Sequence, residues 1–302
     1  MQRTNDIQIR DPFVLADAAS GRYYMYGTTD PHPYLTPSRC FDCYVSDNLE
    51  DWQGPFTVFC PPPDFWADRQ FWAAEVHAYE GRYVMLASFK AAHACRGTQA
   101  LVADSPLGPF VPHSHGPLTP TSWECLDGTL FVDDAAQPWL VFCHEWLQVR
   151  DGRICAMPLT PDLSAAVGEP VVLFSASEAT WSVCFPHEID GQHHALNHVT
   201  DGPFLKRASD GTLLMLWSTT GAEGYTMGVA RSASGDVCGP WEQLPEPLYR
   251  RDGGHGMIFN TFAGQQLLAI HQPNRTPDER PMFLPLWEEG GMLMIEQVAV
   301  LV

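Results

Sequence analysis

The stretch DGPFLKRASDGTLLMLW, residues 201–217, carries the pattern that decides the fold. An acidic residue leads, Gly-Pro follows, and Phe204-Leu205 opens a short apolar strand. Ser209-Asp210-Gly211 is a hairpin turn signal, because Asp-Gly adopts the backbone angles a tight reversal needs. Leu213 to Trp217 is then a continuous apolar run, as expected of a strand buried on both faces. The same turn-then-strand unit recurs at residues 21–29 (GRYYMYGTT), 81–89 (GRYVMLASF), 137–144 (QPWLVFCH) and 264–271 (GQQLLAIH). Five copies, about 50 to 75 residues apart, fall in the period range of propeller blades and leave room for two more strands between copies. Similar closing turns stand at residues 48–55 (NLEDWQGP), 105–110 (SPLGPF) and 234–241 (SGDVCGPW).

No long window has 3.6 periodicity, and the 26 prolines and 24 glycines punctuate the chain at short intervals. Residues 175–180 can form a short helical turn. The chain therefore reads as all-β: a single domain over residues 1–302, built as a five-bladed β-propeller of four-stranded sheets.

With 302 residues and 45% hydrophobic content, the chain can bury a large core. A net charge of −19 argues against polyanionic partners, so neither nucleic acid nor an anionic membrane is expected. The first ten residues lack the apolar segment of a signal peptide, and no apolar run is long enough to span a membrane. A cytoplasmic, reduced protein is expected, with several of its nine cysteines as core thiols. Cys40 and Cys43 form a CxxC, but without a second pair or a His pair it is not read as a zinc site.

In a propeller the innermost strand of each blade starts at a shared funnel, so one polar residue per blade converges in space. Ahead of the five units stand Asp11, Glu75, Asp127, Asp201 and His255. Any one Asp could merely cap a strand-entry turn; five at matching places suggest chemistry. Two carboxylates flanking a glycosidic bond can hydrolyse it, one as acid and one activating water, and a third raises the acid's pKa by like-charge repulsion. Trp72, Trp146, Trp123, Trp181, Phe71 and Phe185 offer flat faces for sugar rings, although packing between blades accounts for most of them.

These residues resemble glycoside hydrolase family 43, the five-bladed arabinofuranosidases, xylosidases and arabinanases. The resemblance rests on Arg10-Asp11-Pro12 with residues 23–26 (YYMY), 71–77 (FWAAEVH), 126–134 (LDGTLFVDD), Asp201-Gly202-Pro203 and 253–256 (GGHG), in that order. It implies a general base at Asp11, a pKa-tuning carboxylate at Asp127, and an axial cation such as calcium contacted by His255. It also implies an acid in blade four at Glu-Gly-Pro, where this chain has Asp201-Gly202-Pro203. Asp is one methylene shorter, placing its carboxyl about 1 Å or more from the expected position, and such a misplacement can cost on the order of 10²-fold in rate.

Either the pocket tightens around Asp201, or Glu145 in His144-Glu145-Trp146 supplies the proton, or the site binds sugar without cleaving it. Glu75, Trp72, Trp146, His144 and His187 are expected to contact substrate. The expected activity is inverting hydrolysis of α-L-arabinofuranosides or β-D-xylosides in oligosaccharides. The alternative is a non-catalytic carbohydrate-binding propeller, and oligomeric state is left open.

Overall fold

Each apolar run found from its turn signal forms the second strand of an antiparallel sheet. The computed structural model describes residues 1–34 and 40–296. Blade one consists of Arg10–Asp17, Arg22–Thr28, Phe41–Ser46 and Asp51–Phe59, with Gln2–Arg3 added at its outer edge. Blade two is Arg69–Tyr79, Arg82–Ala91, Ala94–Ala103 and Val111–Pro112. Blade three is Cys125–Val132, Pro138–His144, Arg153–Pro158 and Val171–Ser175. Blade four is Asp201–Arg207, Leu213–Gly221, Gly224–Ser232 and Glu242–Gln243. Blade five is Gly254–Asn260, Gln266–Gln272, Arg280–Glu289 and Met292–Ile295. First strands of successive blades touch, and Gly254–Asn260 packs on Arg10–Asp17 to close the ring. Among the described residues helix is confined to one short segment, Trp146–Val149, and two 3-10 turns, one of them the expected turn at Ala176–Glu178.

The core lies between blades. A separate apolar cluster fills each of the five junctions. Phe41, Phe59, Phe71 and Phe89 interlock between blades one and two, Phe71 and Phe89 edge to face at 4.8 Å. Trp217 and Phe174 pack between blades three and four with their rings tilted, centroids 5.4 Å apart. Truncating such a residue to alanine costs about 3–5 kcal/mol, through lost burial and the cavity left behind.

One irregularity repeats in all five first strands. Pairing with the second strand slips between Arg10 and Phe13, Trp72 and Glu75, Leu126 and Thr129, Asp201 and Phe204, and Gly254 and Met257. In each slip one residue has a left-handed backbone: Asp11 (φ 54), Ala73 (φ 48), Asp127 (φ 54), Gly202 (φ 52) and His255 (φ 51). Asp, His and Gly tolerate that conformation better than most residues, and a bulge of this kind re-aims a side chain out of the sheet's alternation.

A bulge frees its amide from the ladder, and each freed N–H donates to the preceding blade. Ala73 donates to Thr28 Oγ1 (2.9 Å), Asp127 to Ser88 Oγ (2.9 Å), His255 to Ser218 Oγ (2.9 Å) and Asp11 to His271 Nδ1 (3.1 Å). In blade three the corresponding second-strand residue is Cys143, paired with Leu126. A thiol is a weak acceptor, and the Gly202 N–H donates instead to the carboxylate of Asp127 (3.1 Å).

Two cysteines depart from the expectation of a reduced protein: Cys40 and Cys60 form a disulfide. Phe41 and Phe59 are cross-strand partners, so the residues just beyond them meet. Cys43 of the CxxC is a separate buried thiol.

Candidate active site

The funnel floor is made by three bulge residues. His255 Nδ1 lies 3.0 Å from Asp11 Oδ1 and 3.7 Å from Asp127 Oδ2. Burial alone would strip the imidazole of its proton, but Asp11 and Asp127, with Asp201, outweigh this and push it up to about 10. Burial likewise opposes the charge on Asp11, yet the His255 charge and hydrogen bond, then Arg10, hold it well below the usual carboxylate range. Thr28 Oγ1–H also donates to Asp11 Oδ2 (3.0 Å). His271 accepts the Asp11 amide on Nδ1 and donates from Nε2 to Asn274 Oδ1 (3.0 Å), which fixes it as the neutral tautomer. Asn274 Oδ1 in turn accepts from Arg10 (2.7 Å).

Asp127 behaves oppositely. Burial first, then Asp201 and Asp11, push it up to about 8 against the pull of His255. Asp201 is also raised, by burial and the like charge of Asp11, although His255 and a hydrogen bond from Tyr225 Oη–H (3.0 Å) oppose this. Tyr225 is held by stacking on His271, ring centroids 5.6 Å apart.

On the floor opens a pocket of about 380 Å³, lined by Arg10, Asp11, Asp127, Asp201 and His255, and also by Tyr34, Gln70, Trp72, Arg96, Glu145, Trp146 and His187. Trp72 donates its indole N–H to Pro33 O (3.1 Å) and meets Tyr34 edge-on at 5.4 Å. Arg96 lies 4.2 Å over the Trp72 ring, donates to Gln70 Oε1 (2.7 Å) and forms a close ion pair with Glu145 Oε2. The opposite wall is Trp146, packed edge-on with His187 and Phe185 at 5.1 and 5.0 Å. His187 comes from an added hairpin, Phe185–Ile189 and Gln192–Asn197, between blades three and four. A larger hollow of about 530 Å³, around Trp66 and His115, contains none of the floor residues.

Most of the expected residues meet here: Asp11, Asp127, Asp201, Glu145, Trp72, Trp146, His187 and His255. Two do not. His144 stacks on Trp123 at 4.1 Å and bonds Gln148 Oε1 (2.7 Å), because strand alternation turns it away from its neighbour Glu145. Glu75 lies two residues past the bulge residue of blade two and pairs with His77 Nε2 (3.1 Å); the matching position is Ala73. Asp201 also precedes its bulge residue, Gly202, by one position. Arg96, Gln70 and Tyr34 were not expected from sequence. As for a cation at His255, the Nδ1 already faces two carboxylates, and among the described residues no three His, Cys, Asp or Glu side chains gather to hold a metal. The residues do not fit a directly ligated ion.

A family model described as glycosyl hydrolases family 43 matches residues 6–288. The chain belongs to glycosyl hydrolases family 43. Among solved structures, an endo-arabinase from Bacteroides thetaiotaomicron is similar, with 40% identity, TM-score 0.87, and 96% of this chain and 98% of that one covered. An endo-1,4-beta-xylanase from the same organism has 22% identity and TM-score 0.75, covering 98% and 97%. An alpha-L-arabinofuranosidase from Lactobacillus brevis has 19% identity and TM-score 0.73, covering 95% and 93%. The last two share the fold. Comparison with curated protein sequences returned no match. The family-43 chain is a glycoside hydrolase with a five-bladed propeller, and its substrate class is oligosaccharide.

Proposed function

We propose that this family-43 enzyme removes terminal α-L-arabinofuranosyl units from oligosaccharides with inversion. The observation that carries the reading is the charge order on the floor: Asp11 kept ionised beside His255, and Asp127 driven towards its protonated form. Asp11 is then the base that takes a proton from water, and Asp127, coupled by like charge to Asp201 and Asp11, tunes the carboxyl groups of the floor. A carboxyl group on the far side of the bond, Asp201 or Glu145, protonates the leaving oxygen. Inversion needs the acid and base roughly 6.5–9.5 Å apart, with water between.

The arabinofuranosyl preference draws on the 40% identical structure named as an endo-arabinase. Terminal action draws on the pocket's volume, about 380 Å³, at the small end of the roughly 300–1,000 Å³ usual for ligand sites. β-D-Xylosides are the second substrate class to assay. Residence in the cytoplasm is also part of the proposal, and the Cys40–Cys60 bridge weighs against it. Linear arabinan should yield arabinose alone from the first time points, and Asp11→Ala should stop release while leaving the far-UV spectrum unchanged. A ladder of oligosaccharides would refute terminal action, and undiminished turnover in the variant would refute the base.

A further inference from the structure

The family's acid position falls on a shortened side chain, and a second carboxylate enters the same pocket from another blade. Asp201 is spoken for. It stands one residue above the bulge of blade four, about 3.3 Å along the strand; its Oδ2 accepts from Tyr225, and the charges that weigh on it are those of the floor, His255, Asp11 and Arg10. It therefore sits low, with the base.

Glu145 is held differently. It follows the second strand of blade three, and its N–H donates to Glu124 O (2.8 Å). Glu124 precedes Asp127 by three residues, just ahead of the first strand of blade three, so Glu145 is carried on the entry side of the bulge rather than at it. The side chain is buried yet lines the pocket. The charged groups around it are Arg96, Glu124, Asp201 and Lys90 rather than the floor trio. One oxygen, Oε2, is clamped by Arg96, itself anchored by Gln70 and the Trp72 face. Burial raises this carboxyl and Arg96 opposes the rise as the smaller effect; because Arg96 donates to Oε2, the proton of the acid form belongs on Oε1. A sugar seated on the floor would direct its leaving group to this entry side.

We infer that Glu145, not Asp201, is the general acid, delivered from blade three and aimed by Arg96. In the step, Glu145 gives its proton to the glycosidic oxygen as the bond from that oxygen to the anomeric carbon breaks, with the electron pair leaving on oxygen. Water attacks the opposite face of the carbon and loses its proton to Asp11. The inference rests on the reading of Asp11 as base in an arabinofuranosidase or xylosidase.

The test compares Glu145→Gln and Asp201→Asn on a series of aryl arabinofuranosides with phenols of graded acidity, and on an arabino-disaccharide. A lost general acid costs about 10²–10⁴-fold, but only where the leaving group needs the proton. Glu145→Gln should lose that much on the disaccharide and less than about tenfold on the most acidic phenol, whereas Asp201→Asn should lower all substrates alike. Glu145→Asp, which keeps the Arg96 partner, guards against misfolding and should show the same slope in milder form. A uniform loss in both Glu145 variants, or a steep leaving-group dependence in Asp201→Asn, would overturn the assignment. Wild-type inactivity on every arabinofuranoside and xyloside would overturn the reading beneath it, and the assignment with it.

Discussion

Replacing His255 by glutamine tests whether the floor is held by an imidazolium. The variant keeps a polar side chain but removes the positive charge 3.0 Å from Asp11 and 3.7 Å from Asp127. At an effective dielectric of about 20, a charge pair at about 4 Å is worth about 4 kcal/mol, and one pKa unit corresponds to about 1.36 kcal/mol. Asp11 should therefore rise by about three units. The sign follows from its role: a base acts only when ionised, so raising its pKa removes activity at low pH first. The assay is the pH profile of kcat/KM on an aryl arabinofuranoside. In wild type the acid limb should lie below the usual carboxylate range, since the His255 charge and hydrogen bond depress Asp11. In the variant that limb should move up by two to three units, to about the middle of the acid range, with partial activity regained at higher pH. An unmoved limb would refute the imidazolium account. A uniform loss at every pH would also refute it, by making His255 a packing residue only.

Wild-type stability should fall as pH rises from neutrality, measured as Tm. His255 titrates at about 10 in the fold against 6.5 unfolded, so its contribution is full below 6.5 and lost as pH climbs to about 10; Asp127, raised from 3.8 to about 8, acts in the same direction at lower pH. Gly202→Ala should lower Tm and activity together, because a Cβ there would lie 2.6 Å from the His255 ring, on a backbone with φ 52. Overpacking of this kind costs about 1–3 kcal/mol, and an unchanged Tm would refute the close approach.

The propeller was legible because its signal is redundant: five turn-plus-strand units each indicate the same element, so no single misreading matters. The floor was legible where the bulge residue is itself ionisable, as at Asp11, Asp127 and His255. Blade two puts alanine in that place, and Glu75, the nearest carboxylate in sequence, lies two residues beyond it and pairs with His77. His144 and Glu145 show the cost of ignoring alternation, since adjacent residues at a strand end face opposite ways. Arg96 follows no motif; its place comes from the register of a third strand, which pattern alone does not give. The Cys40–Cys60 bridge was hidden for the same reason, since it depends on Phe41 facing Phe59.

The borrowed acceptors behind the bulges set an order of completion. Asp11 lies near the start of the chain, yet its amide is received by His271 and its carboxylate is neutralised by His255, both in the last blade. A ribosome-bound chain ending at blade four could contain four formed sheets and still lack a competent base. Hydrolysis thus reports that the ring has closed, and activity recovered during refolding should lag behind sheet formation by the time the fifth blade takes to dock.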